Sequence, residues 1–381
     1  MKLTTWNAEW MDTYWGVISG TYAPGQNIFP HKAPTMAKAT AKLEAQVALI
    51  NRLAPDILFL CEAVKGEAEM AAFTAANLQD YDLVTRPANE DYATEGRQWQ
   101  WFLIRKPLAD QLEPDLLPIA TWQAFAASAS PSVDPDGKWS VSIPRLRDFG
   151  DIEDVPVSER SKHEFFRHPQ VLRFRFGGGS HEVIGTHLKS KHTSDAPRKR
   201  RDDESFEDYA KLKKVRRYLA NSHAARVKLS SEASNVRAYI DQRFEQDADP
   251  SIFVLGDLND GPGKEIMERE YLLHDLISNL QGEVFFAQKF LNHALFDQPQ
   301  NLRWTAQFAD PLDPARSDKI LLDHIMFTQA LTHSGTSPLW VEPNAGRVEH
   351  LVFEEIEAQF GKGMASDHRP VSVTLTPRGI L

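Results

Sequence analysis

The chain has 381 residues, a single cysteine and a formal net charge of −10. One cysteine excludes an intrachain disulfide and any zinc site built on cysteine clusters, and the negative balance argues against bulk electrostatic binding of nucleic acid, while leaving room for a local basic groove. Hydrophobic residues at 42% and charged residues at 25% are ordinary for a soluble globular protein, and no apolar run approaches the roughly 20 residues of a membrane span.

Residues 2–7 read as a first strand. No apolar stretch of signal-peptide length precedes it, so the expected location is cytoplasmic. Residues 8–34 carry Gly16, Gly20, Pro24, Gly25, Pro30 and Pro34 and read as a long loop. Residues 35–53 are alanine-rich, with Leu43, Val47 and Ile50 at helical spacing and Thr35 as a candidate cap. Pro55-Asp56 breaks the chain before a continuous apolar strand at 57–61, where Cys61 is expected to be a buried, inert thiol. A helix follows at 67–79, then strands at 81–85 and 99–105. Residues 110–165 fit no period and read as an insertion. Strands at 170–176 and 181–187 flank Gly177-Gly178-Gly179, a hairpin signal. Residues 195–247 are helical in pattern and strongly charged. A strand at 252–256, a helix at 264–280 and strands at 320–327 and 370–375 complete the chain. Strands joined both by hairpins and by helical crossovers indicate an α+β or mixed α/β fold.

Six polar motifs stand mostly at strand ends: Trp6-Asn7, Glu62, Thr186-His187-Leu188-Lys189, Gly256-Asp257-Leu258-Asn259, Asp323-His324 and Ser366-Asp367-His368. Residues i and i+2 of a strand share a face. Asn7 and Glu9 therefore pair, as do His187 and Lys189, and Asp257 and Asn259. Glu62 is a hard oxygen ligand suited to Mg²⁺ or Mn²⁺; a solvent-facing glutamate is the plain alternative. Asp257 suits orienting or deprotonating a water, and the Asn259 amide suits a phosphate oxygen, whereas an Asx-turn explains both without function. A protonated His187 suits a charged transition state or the leaving oxygen, and Lys189 suits a phosphate as a point charge. His368 needs a carboxylate to fix its tautomer, and Asp323 is the candidate.

In this order the motifs Trp-Asn, strand-terminal Glu, Thr-His-Leu, Gly-Asp-Leu-Asn, Leu-Asp-His-Ile and Ser-Asp-His-Arg-Pro-Val resemble the endonuclease/exonuclease/phosphatase superfamily, the DNase I-like metal-dependent phosphoesterases. The resemblance runs from Asn7 to His368. It implies a single domain over 1–381, with insertions at about 8–34, 110–165 and 192–217. It implies a four-layer α/β/β/α sandwich of two mixed β-sheets with outer helices. It assigns Asn7, Glu62 and Asp367 to the metal and phosphate shell, with Glu9 nearby. His187, Asp257 and Asn259 would meet the scissile phosphate, and Asp323 would pair with His368. Either Asp257 or His368 would activate the water. Arg167 stands where many relatives carry an arginine before a proline and is a candidate phosphate contact. His324 departs from the pattern, which often has an aromatic there. The implied activity is a phosphodiesterase, most simply a nuclease acting on nucleic acid or a nucleotide. A phosphomonoesterase, an inositol or lipid phosphate hydrolase, and a catalytically silent polyanion-binding relative remain alternatives.

From Arg198 to Arg217 the chain carries nine basic and five acidic residues. Such a block is either a flap that attracts a polyanion or a solvated face with internal ion pairs. Trp10 and Tyr14 in the preceding loop are candidates for stacking on bases.

Overall fold

A computed structural model describes residues 1–21, 35–88, 90–129, 139–142, 160–191, 197–262, 265–271 and 275–378. Twelve strands build two sheets: β1 (Lys2–Asn7), β2 (Ile57–Ala63), β3 (Tyr81–Leu83), β4 (Trp99–Arg105), β5 (Asp115–Leu116), β6 (Gln170–Phe176), β7 (Gly179–His187), β8 (Ser251–Asp257), β9 (Asn292–His293), β10 (Asp323–Phe327), β11 (Leu339–Val348) and β12 (Val371–Pro377). Their orders are β11-β12-β1-β2-β4-β3 and β9-β10-β8-β7-β6-β5. Each sheet is mixed. One parallel pair, β1/β2 or β7/β8, lies at its centre between antiparallel neighbours.

Alternation along the strands sorts the side chains into layers. Phe253 and Leu255 of β8, Val183 of β7 and Ile325 of β10 join Leu3 and Phe59 in the core between the sheets. The intervening residues Ile252, Val254, Ile184 and Met326 face helices 119–129, 213–246 and 276–281, where Trp122, Leu229, Val236 and Leu280 pack on them. Helices 11–19, 36–53 and 350–360 pack together beside the first sheet. The result is the expected α/β/β/α sandwich. The sheets approach so closely at Gly185 that a Cβ there would lie 2.3 Å from the Phe59 ring.

Helix Lys213–Gln246 is 34 residues long and serves two cores. Its second half lies along β7. Tyr239 donates to Glu182 near the start of that strand at 3.1 Å, and Glu232 accepts the Lys189 N–H just past its end at 2.6 Å. Leu229 is the first residue of this helix in the sheet's core, so the part before it overhangs by roughly 24 Å at 1.5 Å per residue. There Val215, Tyr218 and Leu219 form a separate apolar cluster with Tyr209, Ile266 and Leu312.

Several expectations need correction. The loop expected from residue 8 contains a helix, Met11–Ser19, whose Gly16 is buried inside it; residues 22–34 lie outside the described residues. The stretch 110–165 contains β5 and helix Ile119–Ala129, which buries Trp122 and Phe125; 143–159 lie outside the described residues. The single helix expected at 264–280 is two, Ile266–Tyr271 and Leu276–Gln281, the second capped by Asp275, which accepts from Ser278 N. The strand expected at 320–327 is broken. Lys319–Ile320 pairs with Ala306–Gln307 in a separate ribbon, and β10 starts at Asp323. Strand β11 and helix His350–Phe360 were not anticipated, since β11 shifts register between Val341 and Gly346 and so loses its alternation. Among the described residues no helix is long and apolar enough to cross a membrane.

Candidate active site

The two central parallel pairs deliver polar residues to one edge of the sandwich. Asp257, the last residue of β8, is in register with His187 on one side and Asp323 on the other. It follows Phe253 and Leu255 on the inner face, so its carboxylate points between the sheets and meets Asn7 from the end of β1. Gly256 takes a φ of +133°, and a Cβ there would lie 1.8 Å from the Thr186 carbonyl oxygen.

Glu62 arrives differently. Phe59 and Cys61 face inward, so strict alternation would turn Glu62 outward. A register shift between Leu60 and Ala63 and a left-handed φ of 54° return it to the site. Left-handed backbone recurs around it at Glu9, Trp10 and Asn259, with φ of 50°, 58° and 53°.

Asn7 Nδ2 donates to Asp257 Oδ2 at 2.9 Å and to Glu62 Oε1 at 3.3 Å, while its Oδ1 accepts from Glu9 N at 3.0 Å. Asn7 thus gathers two carboxylates as a donor, and its oxygen keeps a second lone pair for a ligand. Glu9 turns away to Lys42, with Oε2 and Nζ 3.2 Å apart. Asp257 Oδ1 accepts from Asn259 N at 2.9 Å, and the Asn259 amide donates to the Leu188 carbonyl at 2.9 Å. The Asx-turn reading of Asp257-Leu258-Asn259 is therefore realised together with the site. His368 Nδ1 bonds Asp323 Oδ2 at 2.7 Å, as expected, and Asp323 Oδ1 is buried without a partner. Asp257, Asp323 and His368 each offer an atom within 4.8 Å of the others. His187 Nε2 lies 3.6 Å from Asp257 Oδ2 and 3.9 Å from Glu62 Oε1.

Burial sets the protonation pattern. It raises the Asp257 carboxyl to about 7, with Asp323 adding to the rise and His368 opposing it. It raises Glu62 as well, against the pull of His368. Burial alone would lower His368, but Asp323 and Asp257 overcome it and hold the imidazole well above its usual value. His187 has no such support. Burial, then Arg167 and His368, push it well below 6.5. That direction favours a neutral imidazole over the protonated His187 of the expectation.

Arg167 is buried and directs three groups away from open space: Nε to the His187 carbonyl at 3.0 Å, Nη2 to the Leu188 carbonyl at 3.0 Å and Nη1 to Gln98 at 2.6 Å. It clamps the backbone that carries His187. Glu232, which sequence reasoning missed, completes that clamp through Lys189 N and also bonds His163 Nε2 at 2.9 Å. A signal was present: Glu232 falls on the apolar stripe of its helix, beside Leu229, Ala233 and Val236. Cys61 is fully buried, and burial pushes its thiol up, as an inert role requires.

These groups stand at one end of a cleft of about 1260 Å³ that continues past Lys189 under the overhanging helix. Asp367 and Phe308 line it near His368. In the charged block Arg198 pairs with Glu204 at 2.6 Å and Lys211 with Asp208 at 3.0 Å, so part of it is a self-neutralised face. Lys199 lines the cleft instead.

Two mixed sheets back to back, with carboxylates, amides and imidazoles gathered at one edge, define a sandwich-type phosphoester hydrolase. The chain belongs to the endonuclease/exonuclease/phosphatase family, whose model matches residues 4–368. No curated protein matches it. Among solved structures, D. rerio TDP2 humanised by 14 mutations covers 99% of this chain and 98% of its own at 11% identity and a TM-score of 0.46. The endonuclease/exonuclease/phosphatase from Bacteroides vulgatus covers 99% and 98% at 12% identity and a TM-score of 0.47. The human nocturnin catalytic domain covers 99% and 94% at 12% identity and a TM-score of 0.43.

Proposed function

We propose that the chain is a divalent-metal-dependent phosphodiesterase acting on nucleic acid or a nucleotide. One observation carries this reading: Glu62, Asp257, Asp323 and His368 are buried together at the mouth of a large cleft, with Asn7 donating to two of the carboxylates. So many buried acids destabilise a fold unless a cation or a substrate uses them. Glu62, raised by burial, and Asp367 beside it supply the hard oxygen set that Mg²⁺ or Mn²⁺ prefers. Asp257, Asp323 and His368 also converge, but an imidazole held protonated by two carboxylates is a poor ligand, so the ion is assigned to Glu62 and Asp367. When bound, it would neutralise charge developing on the phosphoryl oxygens.

The chain's own residues do the rest. Asp257, poised near 7, accepts a proton from the attacking water. Asn7 and the Asn259 backbone N–H hold that carboxylate in place. Neutral His187 donates Nε2–H to a non-bridging oxygen. His368, oriented by Asp323, faces the opposite charge change as a cation and yields a proton to the leaving oxygen. Lys189 meets a phosphate, and Arg167 holds the backbone behind it.

A membrane-lipid substrate is not favoured. The exposed apolar run Val284, Phe285 and Phe286 leads into β9, whose Asn292 pairs with Phe327, the end of β10 away from Asp323. The deciding experiment compares bis-p-nitrophenyl phosphate with p-nitrophenyl phosphate in Mg²⁺, Mn²⁺ and EDTA. The diester should be cleaved only with metal. Glu62→Ala and His368→Ala should each lower the rate at least about a hundredfold with folding intact. Near-full activity of His368→Ala on every ester would sink the mechanism.

A further inference from the structure

We infer that the arm of the cleft beneath the overhanging helix is a track for single-stranded nucleic acid, in which Lys189, Lys228 and Lys199 hold backbone phosphates flanking the scissile one. This rests on the phosphodiesterase reading and names its substrate class.

The cations of the cleft wall divide into two sets. Lys191, Arg226 and Arg316 converge on Glu265. Lys191 Nζ and Arg316 Nη1 lie 3.0 and 3.2 Å from its Oε1, and Arg226 bonds its other oxygen. Glu268 adds contacts of 3.4 Å to Lys191 and 3.3 Å to Arg226. That set is neutralised in place and has little left for a ligand. The second set is not. Lys199 and Lys228 line the cleft, are exposed, and have no acid partner among the described residues. Among the described residues the Lys189 ammonium donates to the Ser190 carbonyl, at 2.8 Å, and to no acid.

The unpaired set also repels itself. Lys189 loses proton affinity through burial, then through Arg167, with Glu232 opposing and Lys228 adding to the fall. Cations beside a cleft that carry no acid partner form a local positive patch in a chain of net charge −10, and an anion bound between them gains their attraction. All three belong to or follow the β7 end and the long insertion. The track is thus continuous with the proposed position of the scissile phosphate.

Aromatic rings line the same space. Phe308 is 44% exposed, with its ring centroid 6.1 Å from that of His368. Phe165, Phe166 and Trp10 also line the cleft. Cations for the backbone interleaved with rings for the bases are the recognition elements of single strands. The cleft volume of about 1260 Å³ exceeds the roughly 300–1,000 Å³ of pockets for one small ligand. Residues 163–167 and 308–312 also line it.

The test uses the full chain and its Lys199→Gln/Lys228→Gln variant. Fluorescence anisotropy with a labelled thymidine octanucleotide, in a Glu62→Ala background so that cleavage does not intrude, reads the track. Hydrolysis of bis-p-nitrophenyl phosphate reads the chemical site. The double substitution should weaken octanucleotide binding about tenfold or more and reduce the slope of log affinity against log salt by about 1.4. It should lower the ratio of octanucleotide to small-diester cleavage by a similar factor. Equal loss on both substrates, an unchanged salt slope, or duplex bound as well as single strand would overturn the track. So would inositol hexakisphosphate binding that depends on the two lysines while octanucleotide binding does not. Failure of the wild type to cleave the small diester would instead overturn the phosphodiesterase reading itself.

Discussion

Glu232 reaches no reacting atom, yet three chains of contact lead from it to the site. It fixes Lys189 N, bonds His163, and is the foremost charge supporting buried Arg167, which in turn holds the His187 and Leu188 carbonyls. Glu232→Ala should lower kcat about tenfold or more with KM for a small diester nearly constant, since the imidazole loses its backing. Glu232→Gln should recover most of the rate, because an amide oxygen still accepts the Lys189 N–H. Stopped kinetics beside a thermal melt separates this from simple destabilisation. At this scale the sequence was informative where chemistry and strand position coincide. Asp257, Asp323 and His368 stand at strand ends and are found together. It was less informative where local bonding decides: that the Asn7 amide gathers two carboxylates, and that burial beside Arg167 disfavours a charged His187, needed the fold.

Among the elements, the long helix shows how two cores share one rod. Leu229, Val236 and Ile240 pack on the second sheet, whereas Val215 and Leu219 pack with Tyr209, Ile266 and Leu312. Leu229→Ala should cost about 2–5 kcal/mol of global stability and lower the melting temperature. Leu219→Ala should leave the main transition nearly in place but speed amide exchange over 213–225, as expected for a local opening unit. The helix's existence was legible from its period, but not this division, which depends on where β7 ends. Elements were missed where local signals cancel. Breakers hid the helix at 11–19, and Pro343 with left-handed Asn344 disguised β11. Apolar runs such as 57–61 and 252–256 survive any context and were read correctly.

Across the whole molecule, buried imidazoles set the acid limit. Burial lowers His168, His181 and His324 to about 4 and His293 well below 6.5. Two of them form a one-way relay. Leu295 N donates to His293 Nδ1 at 3.0 Å, His293 Nε2 to His324 Nδ1 at 2.9 Å, and His324 Nε2 to the Asp260 carbonyl at 2.7 Å. No acceptor in that relay is left for an extra proton. Above about pH 6.5 both states hold these rings neutral, and their full contribution to stability is present. Below it the unfolded chain takes up protons that the folded one refuses until about 4, so stability falls through that window. At about 1.4 kcal/mol per pH unit the rings lowered to about 4 contribute up to roughly 3 kcal/mol each. Urea midpoints should therefore drop from pH 6.5 to 4, offset in part by Asp257 and Glu62, whose raised carboxyls bind protons first in the folded state, and His293→Gln should flatten the slope. The same molecule carries a second tension at its working edge. Glu62 combines a left-handed backbone, which costs a non-glycine residue about 1 kcal/mol or more, with a desolvated carboxylate. Glu62→Gly should therefore melt higher than the parent in EDTA while losing hydrolysis, and that advantage should shrink in Mg²⁺. A lineage released from the need to cut phosphoesters would drift first at this position, and it would become sturdier as it forgot its trade.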